Sequence, residues 1–438
     1  MIFTPLLIGV NLLSCTISTE TVSSETTTKK NPGYYSETDI LYTDKAYNKN
    51  IKTVLLYNSN MEIAPPIIAL NTDEQLTLRF DDFDGNIKTY NYSIIHCNAD
   101  WTPSNLMEIE YLEGYFMGNI PIYEYSFNTL KPYIHYRVNF PDENTKIILP
   151  GNYILLVYEN GDKSLPVLTK RFMVYENRMA IQHEYKATDD VEERNYKQEI
   201  DFTINTGNLV LNNGYSDITV YQLQNYRWDN ALTNFKPKFM NGKDLVYNVD
   251  EPQTFYGLNE FRHISITNTA IKGNRIFSVG HDSTLFNAMV YKDEKRNFKK
   301  YITNGDVNGR FKINRDNTDD EHTQADYMHV TFSLEYENPP KTGDFYLFGG
   351  FTNWQVQPEY KLQYNEALGV FMQTALLKQG SYDYMYVYVD ENGKKDDVMV
   401  EGTHFSTENQ YTILVYYRDI KRGADLLYGF SDFNNQGR

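Results

Sequence analysis

Hydrolytic, redox or metal chemistry would have to come from the chain's His, Cys, Asp and Glu residues. Eight histidines stand at positions 96, 135, 183, 263, 281, 322, 329 and 404, with no His-Glu-x-x-His and no pair at i, i+4. His96 precedes Cys97, the one juxtaposition that suggests a nucleophile beside its base. Residues 90–96 (YNYSIIH) alternate as a half-buried strand does, and neighbours in a strand point to opposite faces, so the two side chains should diverge. Asp81, Asp82 and Asp84 form a cluster before Gly85-Asn86 that invites a calcium reading, but no acidic residue falls at the twelfth position of such a loop. With 58 acidic residues, a pair of carboxylates anywhere is uninformative. No Gly-x-Ser-x-Gly elbow, phosphate-binding loop or dinucleotide fingerprint occurs. The sequence makes no case for an enzyme, and none for a cofactor or a metal.

Two cysteines are too few for a disulfide framework or a structural zinc site. Cys15 has another use. Residues 1–14 form a short apolar segment, too short to span a bilayer, that reads as an export signal. The Ser14-Cys15 step resembles a bacterial lipoprotein cleavage site, which would make Cys15 the acylated first residue. The segment departs from that pattern in lacking Lys or Arg and in carrying Leu13; the alternative is an ordinary signal with an incidental cysteine. Residues 15–48 then read as a tether, Ser- and Thr-rich at first, with little to bury.

The elements that follow are read as β. Thirty-eight Tyr and 24 Phe, with turn-formers scattered throughout, favour sheet over helix, and 41% hydrophobic residues suffice for real cores. The expected class is all-β: tandem Ig-like or early-set sandwiches with long aromatic loops, divided as 49–176, 177–320 and 321–438. In the first, residues 51–57, 76–80, 90–96, 135–140, 151–158 and 170–175 read as strands. In the second, 198–204, 217–223, 264–266 and 288–291 do, with Asn-Gly turns at 213, 241, 304 and 308. In the third, residues 327–335 form a strand and Tyr382, Tyr384, Tyr386 and Tyr388 alternate onto one face. A net charge of −17 argues against nucleic acid and gives no attraction to anionic lipid. No apolar run of 18 residues follows the N-terminal segment.

The most distinctive stretch is 90–129. Its strand ends in Cys97-Asn98-Ala99-Asp100-Trp101-Thr102-Pro103-Ser104, a knot of turn-formers around one large ring. An aromatic-rich loop without strand or helix period follows. Trp101, Tyr115, Phe116, Met117, Ile120 and Tyr123 are the candidate partner-binding residues, since apolar loops are expensive unless something buries them.

HCNADWTPS, the EYLEGY and SFNT pieces after it, HYRVNFP from His135 and EGTHFSTENQYTILVYYR from Glu401 resemble the plug proteins of the Bacteroidota type IX secretion system. The resemblance covers about residue 51 to the end. It implies a periplasmic protein at the inner face of the outer membrane, sealing the periplasmic mouth of a giant β-barrel translocon and leaving when a carrier protein docks. The third domain, with its Gly-Phe-x-x-Trp at 350–354, resembles the early-set modules of glycogen-binding proteins. The alternative it raises is an outer-membrane-anchored glycan-binding lipoprotein whose tyrosine ladder stacks sugars.

Overall fold

The structure, a computed structural model, describes residue 1, residues 40–248 and residues 253–435. Cys15, the export segment and most of the tether lie outside the described residues. The chain is all-β, with 46% strand against 5% helix, so sheets build most of the cores.

The first sandwich packs two sheets. One runs Lys45–Ala46, Pro166–Tyr175, Gly151–Glu159, Tyr90–Cys97, Gly118–Asn119, with Ile67–Ala69 parallel to Pro166–Tyr175. The other runs Ile51–Asn58, Leu76–Asp82, Ile134–Phe140, Ile122–Tyr125. Leu76, Leu78 and Phe80 face Tyr92, Ile94, Tyr153, Leu155 and Val157 in one apolar cluster, the inward half of each period-two pattern. Gly151–Glu159 is buried on both faces. Its alternate residues Ile154, Leu156 and Tyr158 pack outward against Leu414, Tyr416 and Leu427 of the next domain, which explains its unbroken apolar run.

Sheet membership redraws the remaining division. Ala180–Ala187, Lys197–Asn205, Asp244–Tyr247 and Phe239–Asn241 form one sheet, with Phe255–Tyr256 at its side. The facing sheet is Ile218–Gln224 paired with the C-terminal hairpin Gln410–Asp419 and Ala424–Asn434, in register from Ile218 opposite Tyr417. The last strands of the chain therefore complete the second sandwich rather than the third. The third is inserted between Tyr256 and Gln410. Its one sheet runs Ile276–His281, Phe286–Val290, Tyr327–Glu335, Val370–Lys378, Gln363–Asn365, and faces Gly380–Val389 with that strand's partners Arg262–Ser265, Phe311–Ile313, Asp344–Phe348 and Lys395–Asp396. The linear boundaries at 320 and 321 thus give way to an insertion, and the strands expected at 264–266 and 288–291 belong to the inserted sandwich. Local pattern marks a strand but not its partner, which here lies about 200 residues away.

The tyrosine ladder is corrected too. Tyr382, Tyr384 and Tyr386 are buried in the third core, with Tyr384 and Tyr386 donating to Asp293 Oδ2 at 2.8 and 2.9 Å. A ladder inside a core offers no wet platform for sugars.

Candidate partner interface

Of the six candidate partner-binding residues, four are on the surface and two are not. Tyr115 (67% exposed), Met117, Tyr123 and Phe116 are exposed, and Ile122, Tyr125 and Phe127 (69%) extend the same run. Ile120 and Trp101, at 5% and 4%, are interior. Ile120 is held because its N–H donates to Tyr90 O and its side chain joins the first core.

The exposed run is not a slack loop. A one-turn helix at Glu108–Tyr111 leads into Leu112–Gly114, which pairs with Thr145–Ile147. Gly114 takes φ +97°, and a Cβ there would meet Asn144 O at 2.1 Å, so only glycine lets the chain pass. Tyr115 N–H then donates to Asn144 O, Thr145 Oγ1 to Tyr115 O, and Ser93 Oγ to Phe116 O. The backbone is pinned while the side chains face water. Ile122–Tyr125 is an edge strand, exposed at all four residues and paired only with Ile134–Phe140 among the described residues. An apolar edge with unpaired backbone groups is a ready place for another chain to add.

Trp101 has a different role. It sits at φ +67°, a rare conformation for a bulky side chain, with Trp228 edge-on at 5.0 Å and the Arg171 guanidinium 4.5 Å from its ring centre. The turn around it binds the C-terminal hairpin: Ala99 N–H donates to Asp425 Oδ2 at 3.1 Å, and Arg418 Nη1 to Asn98 Oδ1 at 3.2 Å. The second signature stretch does the same work at the other junction. Glu401 pairs with Arg262 and Arg296 inside the third sandwich, Thr403 Oγ1 donates to Tyr196 O and Phe405 N–H to Asn195 O of the second, and Asn409 donates to Gln198 Oε1 and Gly257 O where the chain re-enters it. Both motifs tie domains together.

His96 and Cys97 diverge. His96 packs on Tyr111 and Tyr153, whereas Cys97 joins the cluster shared with the second domain. Burial pushes the imidazole down to about 4 and the thiol up, so neither is poised for proton transfer near neutrality.

The aspartates near 81 prove to be structural anchors. The strand from Leu76 continues through Asp82. Asp81 accepts from Lys378 Nζ (2.5 Å), His135 Nδ1 (2.6 Å) and Tyr327 OH (2.6 Å), joining the first and third domains through buried charges. Asp82 takes Tyr90 OH and Lys88. This network was not readable from the sequence, because Asp81 and Lys378 lie 297 positions apart.

Beside it, Glu62, Glu321 and His322 bring donor atoms within 4.8 Å of one another. The positive charges of Arg79, Lys378 and Lys312 nearby oppose a divalent cation there. Burial and then the Glu321 carboxylate push Glu62 up to about 7. Because its folded value exceeds the unfolded one, its stabilising share is complete below about pH 4.5 and lost as pH rises through 7. Glu62→Gln should therefore leave urea unfolding nearly unchanged at pH 5 and add about 1–2 kcal/mol at pH 8, allowing for partial exposure. His322 works in the opposite sense. Burial, then Arg79, lowers it to about 3, so its share is lost as pH falls from about 6.5.

With this geometry in place, the chain is a three-sandwich β protein with a pinned apolar ridge on its first domain. Residues 51–176 match the family model described as the type 9 secretion system plug protein 1st domain, which supports the resemblance to the plug proteins of the type IX secretion system. The crystal structure of a hypothetical protein from Parabacteroides merdae superposes with TM-score 0.86 at 29% identity, covering 90% of this chain and 100% of that one. The relative placement of all three sandwiches thus recurs in a second protein. A Pseudomonas fluorescens alkylpurine DNA glycosylase, AlkC, aligns over 28% of this chain and 30% of that one at 15% identity, with a TM-score of 0.16 that carries no argument. No curated protein matches. Among the described residues no helix is long and apolar enough to cross a membrane.

Proposed function

We propose that this protein is a non-enzymatic plug that binds and seals the periplasmic opening of the giant outer-membrane barrel of the type IX secretion system. The observation that carries the reading is the apolar ridge from Tyr115 to Phe127, presented on a pinned backbone by the one domain that matches the plug family. Large aromatic side chains in a pre-ordered frame bind without much ordering cost. Sealing needs no chemistry, only a rigid body and an interface that can exchange. Rigidity is supported by the buried ties between sandwiches, and exchange with a carrier protein needs the ridge to be reachable.

The plug works in the periplasm, at the inner face of the outer membrane. Acylation at Cys15 would hold it there and raise its local concentration beside the pore. Cys15→Ser should then release the protein from washed membranes and lower barrel occupancy; unchanged fractionation rejects the anchor.

The test of the main reading is co-purification in mild detergent from a C-terminally tagged chain. Recovery of one very large barrel at near-equal stoichiometry, without its carrier, is expected. Recovery of the protein alone overturns the reading. The glycan-binding alternative has lost its tyrosine platform to the third core.

A further inference from the structure

All three tryptophans of the chain line one cleft. It lies where the three sandwiches meet and measures about 390 Å³, within the roughly 300–1,000 Å³ of small-molecule sites. Trp101 comes from the first domain, Trp228 from the second and Trp354 from the third. The walls hold strained backbone: Trp101, Tyr226 and Trp354 have φ of +67°, +59° and +55°. Bulky residues in this region cost about 1–3 kcal/mol each and persist where surrounding structure enforces them, often around ligands. Gly309 belongs to the same device, since a Cβ there would meet the Trp354 ring at 2.2 Å.

The charges on these walls are uneven. Asp44 is taken by Lys170, and Asp229 by Arg227 and Lys395. Among the described residues, two guanidiniums of these walls have no carboxylate in contact, although Asp44 acts on Arg171, and Asp432 and Asp383 on Arg310, from further off. Arg171 donates through Nε to the Tyr42 carbonyl and stacks on Trp101. Arg310 donates to the Ile63 carbonyl and the Gln410 side chain and lies 5.1 Å from the Tyr226 ring centre. Burial, the leading influence on both, lowers their proton affinity. Glu62 also lines the cleft, but with its carboxyl pushed up to about 7 it carries only part of a charge at neutrality. In a chain of net charge −17, a cleft that sets two arginines outside contact ion pairs among three indoles offers an anion with an apolar body both kinds of contact.

We propose that this three-domain cleft binds an organic carboxylate carried on an apolar or aromatic body, the carboxylate meeting Arg171 and Arg310 and the body lying among the tryptophans. Guanidinium and carboxylate pair through parallel hydrogen bonds, and the flat rings accept an apolar group of this size. The carboxylate could be a free acid or the C-terminus of a peptide. The inference is independent of the plug reading.

The cleft carries its own reporter, because tryptophan emission can come from nowhere else in the chain. The full chain would be titrated with N-acetyl-phenylalanine, N-acetyl-phenylalanine amide and N-acetyl-Ala-Ala-Phe, up to about 10 mM. A saturable emission change with the acids, at least tenfold weaker with the amide, is expected. Tighter binding of the tripeptide would assign a peptide terminus, and equal binding a free acid. Arg171→Gln and Arg310→Gln should each weaken the acid at least tenfold and erase its preference over the amide, with the far-UV spectrum unchanged. Should either variant fail to fold, the acid–amide comparison on the unaltered protein still decides. Equal response to acid and amide, or no saturation with either acid, overturns the proposal.

Discussion

Lys378→Met is expected to destabilise the folded protein by about 3–5 kcal/mol, because it strands a buried carboxylate between two domains. Lys378 and Asp81 are each 1% exposed and 2.5 Å apart, and Lys378 also donates to the His322 carbonyl and lies 4.2 Å from the Tyr133 ring centre. Taking both charges from water was costly, so the pair is worth little against an apolar replacement; removing one partner leaves the cost and none of the return. The double variant Asp81→Asn/Lys378→Met should therefore recover more than half of the loss. Denaturant unfolding of the unaltered protein, the single variant and the double variant measures both quantities. A single-variant loss below about 1 kcal/mol would show that the charges are neutralised or hydrated in place. His135 and Tyr327 stay on Asp81 in the single variant, which sets the expectation at the lower end of the range.

Combined Tyr115→Ser, Phe116→Ser and Tyr123→Ser should reduce barrel co-purification at least about a hundredfold, equivalent to roughly 3 kcal/mol of binding. The thermal midpoint should hardly move, since these side chains are exposed and their backbone bonds remain. Ile120→Ser supplies the contrast. It lies between the altered residues but is buried, so it should lose several degrees of stability first. Undiminished barrel recovery by the triple variant would move the interface elsewhere on the surface.

How much of this was legible depends on distance along the chain. Leu76-Thr77-Leu78-Arg79-Phe80 declares a strand and its inner face by alternation alone, and 327–335 appears with the bounds read from its pattern. The opposite facing of His96 and Cys97 followed from the same periodicity. Trp101 was singled out rightly and assigned wrongly: a lone large ring in a turn looks like a contact for a partner, and here the partner is the chain's own second domain. Asp81 drew notice only as one of three aspartates before Gly85-Asn86 that invite a calcium reading. Its burial is set by Lys378 and Tyr327, which no local window contains. The short strands inside the aromatic loop were missed because two or three residues show no period.

The insertion has a consequence for how the molecule comes into being. The first sandwich is complete by Tyr175 and the third is contiguous, but Ile218–Gln224 must wait for Gln410–Asp419 before the second can close. Pairings this remote are slow, and surface awaiting them is prone to aggregate. Until the final hairpin arrives, Ile154, Leu156 and Tyr158 of the finished first sandwich have no Leu414, Tyr416 or Leu427 to cover them. A nascent chain halted some thirty residues short would thus carry two folded bodies and an adhesive seam between them. Premature termination near the end is the lesion this architecture tolerates least.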